Sequence, residues 1–126
     1  MLFLLSSYCT NLQARKELPP ESPTDAELAL LPPYCHARIK GNDNARKLWQ
    51  QRMGRKGFLH MHHYCFGLNY LNRANMTFND KNLRSYLINR GIGNFNYVLQ
   101  HWPPDFPLRN QAQLYKNQLE LMKNTR

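Results

Sequence analysis

Phe58-Leu-His-Met-His-His-Tyr-Cys-Phe-Gly-Leu-Asn-Tyr-Leu-Asn-Arg-Ala74 is the stretch whose reading decides the fold. It carries three of the five histidines, one of the three cysteines and the densest run of large apolar residues in the chain. At 100° per residue, Phe58, Met61, Tyr64, Cys65, Leu68 and Leu71 share one broad face, and Leu59, Phe66 and Tyr70 make a second stripe. A helix that is apolar on two sides has neighbours on both. The spacing therefore predicts a central helix from Phe58 to Ala74.

Outward from it, helical signals repeat and no strand pattern of period two survives. Asn75 to Asp80 reads as a linker, with a cap at Asn79 or Asp80. A long helix from Lys81 to Trp102 follows, striped by Leu83, Leu87, Ile88, Phe95 and Val98 and ended by Pro103-Pro104. Gly91 and Gly93 inside it each cost roughly 1 kcal/mol against Ala; close approach of a neighbouring helix, or a kink, accounts for them. A last helix spans Leu108 to Lys123 through Ala112, Tyr115, Leu119 and Met122. On the N-terminal side, residues 15–23 are charged and proline-rich and predict an extended lead-in. Thr24-Asp-Ala-Glu27 is a capping box opening a short helix. Pro32-Pro33 stops that helix, and Pro33 opens the next, with Tyr34 to Ile39. Asn42 or Asp43 caps a further helix that ends by Gly54 and Gly57. The fold class is all-α. Short Pro/Gly breaks favour antiparallel hairpins in one domain over residues 24–126.

Charge and composition narrow the function classes. Of 126 residues, 17 are Lys or Arg and 8 are Asp or Glu, a formal charge of +9 that favours anionic partners. Seven of the basic residues fall between Arg38 and Lys56 against one acid, Asp43. This basic region is either a solvated helix face or an anion or nucleic-acid surface. No named nucleic-acid motif accompanies it. No apolar run is long enough for a transmembrane helix. Residues 1–14 read as a truncated signal peptide, with a short apolar run, no basic n-region and Ala14 as the small residue before Arg15-Lys16. Removing them removes Cys9 and leaves the pair Cys35 and Cys65. In an oxidising compartment that pair predicts a disulfide contributing on the order of 3 kcal/mol; in the cytosol it predicts two buried thiols. The expectation is a periplasmic or secreted protein, with the cytoplasm as the alternative.

Gly91, Phe95, Val98 and Pro103 follow the order small, aromatic, small or apolar, proline. In this they resemble the second helix of a tetratricopeptide repeat. Phe66-Gly67 with Tyr70 is similar to the first helix of that repeat, and Ala112, Tyr115 and Leu119 to the first helix of a following one. His63 stands where Trp is common, and the Gly67-to-Gly91 spacing is about a dozen residues longer than the repeat requires. The resemblance is thus to a degenerate array over roughly residues 60–123, with the N-terminal third as a cap. Leu31-Pro-Pro-Tyr-Cys35 and His62-His-Tyr-Cys-Phe-Gly-Leu-Asn-Tyr70 also look like motifs of a family of small bacterial proteins of this repeat type, many with export signals. That resemblance implies a compartment and a fold, and no activity.

The histidines allow a sharper reading. Imidazole and thiolate are good ligands for zinc or copper, so His60, His62, His63 and Cys65 could belong to a metal-binding protein. On the wheel, however, His60 and His63 fall about 60° apart on the Gly67 side, while His62 and Cys65 fall on the other. One ion cannot take all four from an unbroken helix, which leaves His60 and His63 as the candidate pair. The alternative is packing and hydrogen bonding. Catalysis is not expected: Cys65 sits on the most apolar face, where a thiol is inert, and acids are too scarce for a carboxylate pair. No cofactor is called for. The function expected is protein–protein interaction, with a peptide or an acidic protein surface held in a groove between the central helix and the helix from Lys81. His60, His63, Asn69, Arg73, Arg84 and Tyr97 are the candidate contacts.

Overall fold

The structure, a computed structural model, describes residues 17–125; the signal-peptide reading of residues 1–14 lies outside them. Seven helices follow one another: α1 (Asp25–Leu28), α2 (Pro33–Lys40), α3 (Asp43–Met53), α4 (Arg55–Leu59), α5 (Met61–Asn75), α6 (Lys81–His101) and α7 (Arg109–Asn124). No strand occurs among the described residues, and none of their helices is long and apolar enough to cross a membrane. The all-α class holds.

Local chemistry sets the boundaries. The capping box is formed: Thr24 N–H donates to Glu27 Oε1 at 3.0 Å, and Glu27 N–H donates to Thr24 Oγ1 at 3.2 Å. Pro33 occupies the first turn of α2, where its missing amide leaves no donor unpaired. Asn42 caps α3 by accepting from Ala45 N–H at 2.9 Å, and Asp80 caps α6 by accepting from Leu83 N–H at 3.0 Å. Gly54, at φ 79°, turns the chain between α3 and α4 in a conformation that only glycine adopts without strain.

The helix expected from 58 to 74 is two helices, parted at His60. Three successive carbonyls at the break are taken by side chains. Trp102 Nε1–H donates to Gly57 O, Arg38 Nε–H to Phe58 O and Arg38 Nη2–H to Leu59 O, each at 3.1 Å. In a continuous helix these oxygens would accept from Met61, His62 and His63. Long-range side-chain bonds have replaced the local ladder, a substitution that helical periodicity does not reveal.

Helices α5, α6 and α7 run antiparallel, as three pairs of contacts along each seam show. Between α5 and α6, the His60 ring lies 5.1 Å from the His101 ring, His63 bonds Asn94, and Tyr70 lies under Arg90. Between α6 and α7, Arg109 bonds Leu99 O, Phe95 stacks on Tyr115 at 5.9 Å, and Arg84 bonds Met122 O. Tyr64, Tyr70, Phe95, Met61, Leu87 and Leu119 form the fully buried centre. A Cβ on Gly67 would meet the Phe95 ring at 2.8 Å, and one on Gly91 would meet Leu119 Cδ1 at 2.7 Å. Both glycines therefore allow close approach. Gly93 has open space around it.

The N-terminal third is fastened to this trio. A Cys35–Cys65 disulfide joins α2 to α5, with Cα atoms 5.6 Å apart and a sequence separation of 30. A loop of that length contributes about 3 kcal/mol by restricting the unfolded chain. The described part of the lead-in, residues 17–23, forms neither helix nor strand, and it is bound. Pro20 O accepts from Arg73 Nη1 at 2.7 Å, Glu21 Oε1 accepts from Arg90 Nη2 at 2.8 Å, and Pro23 is buried. The segment straps the seam between α5 and α6. The open groove expected between the central helix and the helix from Lys81 is occupied there by the chain itself.

The two α6 glycines predict opposite outcomes. Gly93→Ala should stabilise by ~0.5–1 kcal/mol through helix propensity alone. Gly91→Ala should destabilise by ~1–3 kcal/mol, because its Cβ would meet the Cδ1 of fully buried Leu119 at 2.7 Å and force that side chain to shift. Urea unfolding of both variants measures the pair; equal effects would remove close packing as the reason for Gly91.

Candidate functional site

The six candidate contacts fall in three places. His60, His63 and Tyr97 come together where α5 begins and α6 ends. Their rings join a column: His63 lies 3.7 Å from Tyr97, and Tyr97 lies 3.9 Å from His101. Tyr97 hydroxyl and His60 Nδ1 are hydrogen-bonded at 3.2 Å, and His63 Nδ1 and Asn94 Oδ1 at 2.9 Å. His101 Nδ1 bonds Tyr97 O at 2.7 Å. One ring nitrogen of each histidine is thus engaged by the fold. No group of three or more His, Cys, Asp or Glu suited to a metal ion occurs among the described residues. The disulfide takes Cys65 out of any thiolate ligand set.

Asn69 and Arg73 are not surface contacts. They are 1% and 8% exposed, beneath the strap. A guanidinium in such a place must be paired, and Arg73 is. It donates through Nε to Glu27 Oε2 at 2.6 Å, through Nη2 to Glu27 Oε1 at 2.8 Å and through Nη1 to Pro20 O. With its amide oxygen turned toward Arg73, Asn69 accepts from Nε and Nη2 at 3.3 Å. Arg73 and Arg90 both lie over the Tyr70 ring, at 5.4 and 5.8 Å from its centroid. The cation selected for an acidic peptide does bind one, supplied by Glu27 and Pro20 of the same chain.

Arg84 stands apart from the others. It lies in a groove between the start of α6 and the end of α7, about 430 Å³ in volume. Ile88 and Met122 line it with apolar surface, and Lys81, Arg84 and Lys123 supply three cations. Phe78, 82% exposed, lies at its edge in the linker before α6. No carboxylate lines it among the described residues. The Arg84 guanidinium is steadied by a bond from Nη1 to Met122 O at 3.3 Å. The sequence reading named Arg84 without its groove. The available signal was Phe78, a large ring in a polar linker with no helical register to bury it.

The basic region also gains a shape. Arg38, Arg46 and Arg55 line a second cleft between α2, α3 and α4, about 320 Å³ in volume. Trp49, outside that lining, is half-buried and packed edge-on against Tyr34 at 5.8 Å, with Arg52 over its ring.

Compared with protein families, with curated proteins and with solved structures, the chain has no match.

Two groups couple this architecture to pH. Burial, reinforced by the charges of His63 and Arg38, holds His62 down at about 4 against its ordinary 6.5. The hydrogen bonds from Arg73 hold Glu27 down at about 2 against 4.5. Each is depressed, so the unfolded chain binds the proton first and acid destabilises the fold. The His62 contribution is complete above 6.5 and is lost as pH falls toward 4. The Glu27 contribution is complete above 4.5 and is lost toward 2. Urea midpoints recorded across this range should fall in two steps, the first reduced in His62→Gln and the second in Glu27→Gln. A flat profile down to the carboxylate range would contradict the burial of a neutral His62.

Proposed function

We propose that the protein is a binding module for another protein or peptide, and that it takes an acidic segment bearing an apolar side chain in the groove between α6 and α7. One observation carries this reading: an apolar lining of Ile88 and Met122 framed by Lys81, Arg84 and Lys123, with no carboxylate among the described lining residues. Apolar contact supplies the bulk of affinity at such a surface, and the cations select for acids and speed encounter. The strap over α5 and α6 supports the choice of groove, since that seam already holds its acidic ligand. The antiparallel α5–α6–α7 arrangement agrees with the tetratricopeptide resemblance, in which helical hairpins present a groove to a peptide. His60, His63 and Tyr97 then serve to close the end of the α5–α6 hairpin. The reading is of a binding protein rather than an enzyme. The Cys35–Cys65 disulfide supports an oxidising compartment, the periplasm or the exterior, over the cytoplasm.

Selection from a random peptide library on the disulfide-bonded protein tests the groove. Enriched peptides should carry Asp or Glu beside a large apolar residue. Lys81→Glu and Lys123→Glu, both at exposed positions, should each weaken the best peptide about tenfold or more, equivalent to ~1.4 kcal/mol. Enrichment of peptides without acids, or binding indifferent to both reversals, would refute the assignment.

A further inference from the structure

We infer that the cleft between α2, α3 and α4 is an oxyanion site fitted to a phosphate or a phosphate monoester. Three elements bring cationic and polar groups to one cavity of about 320 Å³: Arg38 from α2, Arg46 and Gln50 from α3, and Arg55 from α4. That volume lies within the range of ~300–1,000 Å³ usual for small-molecule sites. Arg46 and Gln50 are four residues apart on α3 and so share a face.

Arg38 is a built part of the fold rather than a waving surface chain. Phe58 O holds its Nε, Leu59 O holds its Nη2, and His62 Nδ1 stands 3.1 Å from the same Nη2. Its Nη1 has no hydrogen bond among the described residues. Arg46 and Arg55 make no ion pair among the described residues either, although the chain forms ion pairs elsewhere. Three guanidinium groups therefore line one cleft with no carboxylate among its lining residues. Burial and the Arg46 charge both pull the Arg38 pKa below its usual range, as expected for cations crowded without a counter-charge.

An anion in the cleft relieves that crowding, and the planar forks of arginine match the oxygens of phosphate two at a time. Phe58 and Leu59 complete the lining, with Leu59 55% exposed. Their apolar surface fits an ester group attached to the phosphate. This site shares no residue with the α6–α7 groove, so each can fail alone.

The test uses the full disulfide-bonded chain, titrated with inorganic phosphate and with phenyl phosphate at constant ionic strength. Arg38 Nε–H and the Phe58 and Leu59 amides are followed by two-dimensional ¹H–¹⁵N spectra. Saturable shifts at these positions are expected. Arg46→Gln with Arg55→Gln, at exposed side chains, should weaken binding about tenfold or more while the thermal midpoint is kept. Phenyl phosphate binding about tenfold tighter than phosphate assigns the apolar wall to a monoester; equal binding assigns the site to the free anion. Shifts that do not saturate, that chloride reproduces, or that survive in the double variant would overturn the site.

Discussion

Arg73 is the constraint on which the arrangement of the molecule depends. Its guanidinium lies inside the fold, 8% exposed, on the central helix. A cation there is tolerated only with close partners, and loss of a partner leaves a charge that is costly to bury. The partners come from far away in sequence. Glu27 supplies both carboxylate oxygens and Pro20 a carbonyl. Glu27 is at the same time the N3 residue of the α1 capping box. One carboxylate thus closes a helix end and neutralises a buried charge. The first helix cannot form elsewhere without leaving Arg73 unpaired.

The position of the binding surfaces follows. Once α1 and the lead-in lie on the α5–α6 seam, that seam is closed, and Glu21 seals its far side against Arg90 and Asn94. The disulfide fixes α2 against α5 independently, so the cap is held at two points. α3 and α4 then form one wall of the arginine cleft. The opposite side of the trio, where α6 begins and α7 ends, is left with apolar and cationic side chains uncovered. Gly67 and Gly91 set how closely α5, α6 and α7 approach, and so the width of what remains open.

Much of this was legible in the residues, and the failures have a common cause. Capping box, proline starts and stops, the apolar stripes and the glycine at a close approach are local signals. They placed α2, α3, α6 and α7 to within a residue or two, while α1 ends short of its proline stop. Pairing of Cys35 with Cys65 followed from a count only once Cys9 was set aside with residues 1–14 and an oxidising compartment was taken as the setting. The break at His60 was hidden because Trp102 and Arg38 make it from a distance. Asn69 and Arg73 were read as surface because polar side chains usually are. Nothing local says that two acids from a chain poor in acids, Glu21 and Glu27, fold back onto Arg90 and Arg73. Arg84 was found for its charge, yet its groove depends on α7 packing across α6, which helical periodicity alone does not fix. Tyr70 hydroxyl is buried outside strict hydrogen-bond geometry to any described residue, and the Arg90 guanidinium is the charged group that interacts with it.

The most direct measurement of the account is a double-mutant cycle between Glu27 and Arg73. Unfolding free energies are compared for the natural chain, Glu27→Gln, Arg73→Met and the double variant, all with the disulfide formed. If the strap is held by this pair, each single change destabilises and the two are coupled by ~1–3 kcal/mol, the double variant costing less than the sum. Additivity to within ~0.5 kcal/mol would mean that the two residues do not meet. The α5–α6 seam would then be open, and the choice of the α6–α7 groove would lose its basis.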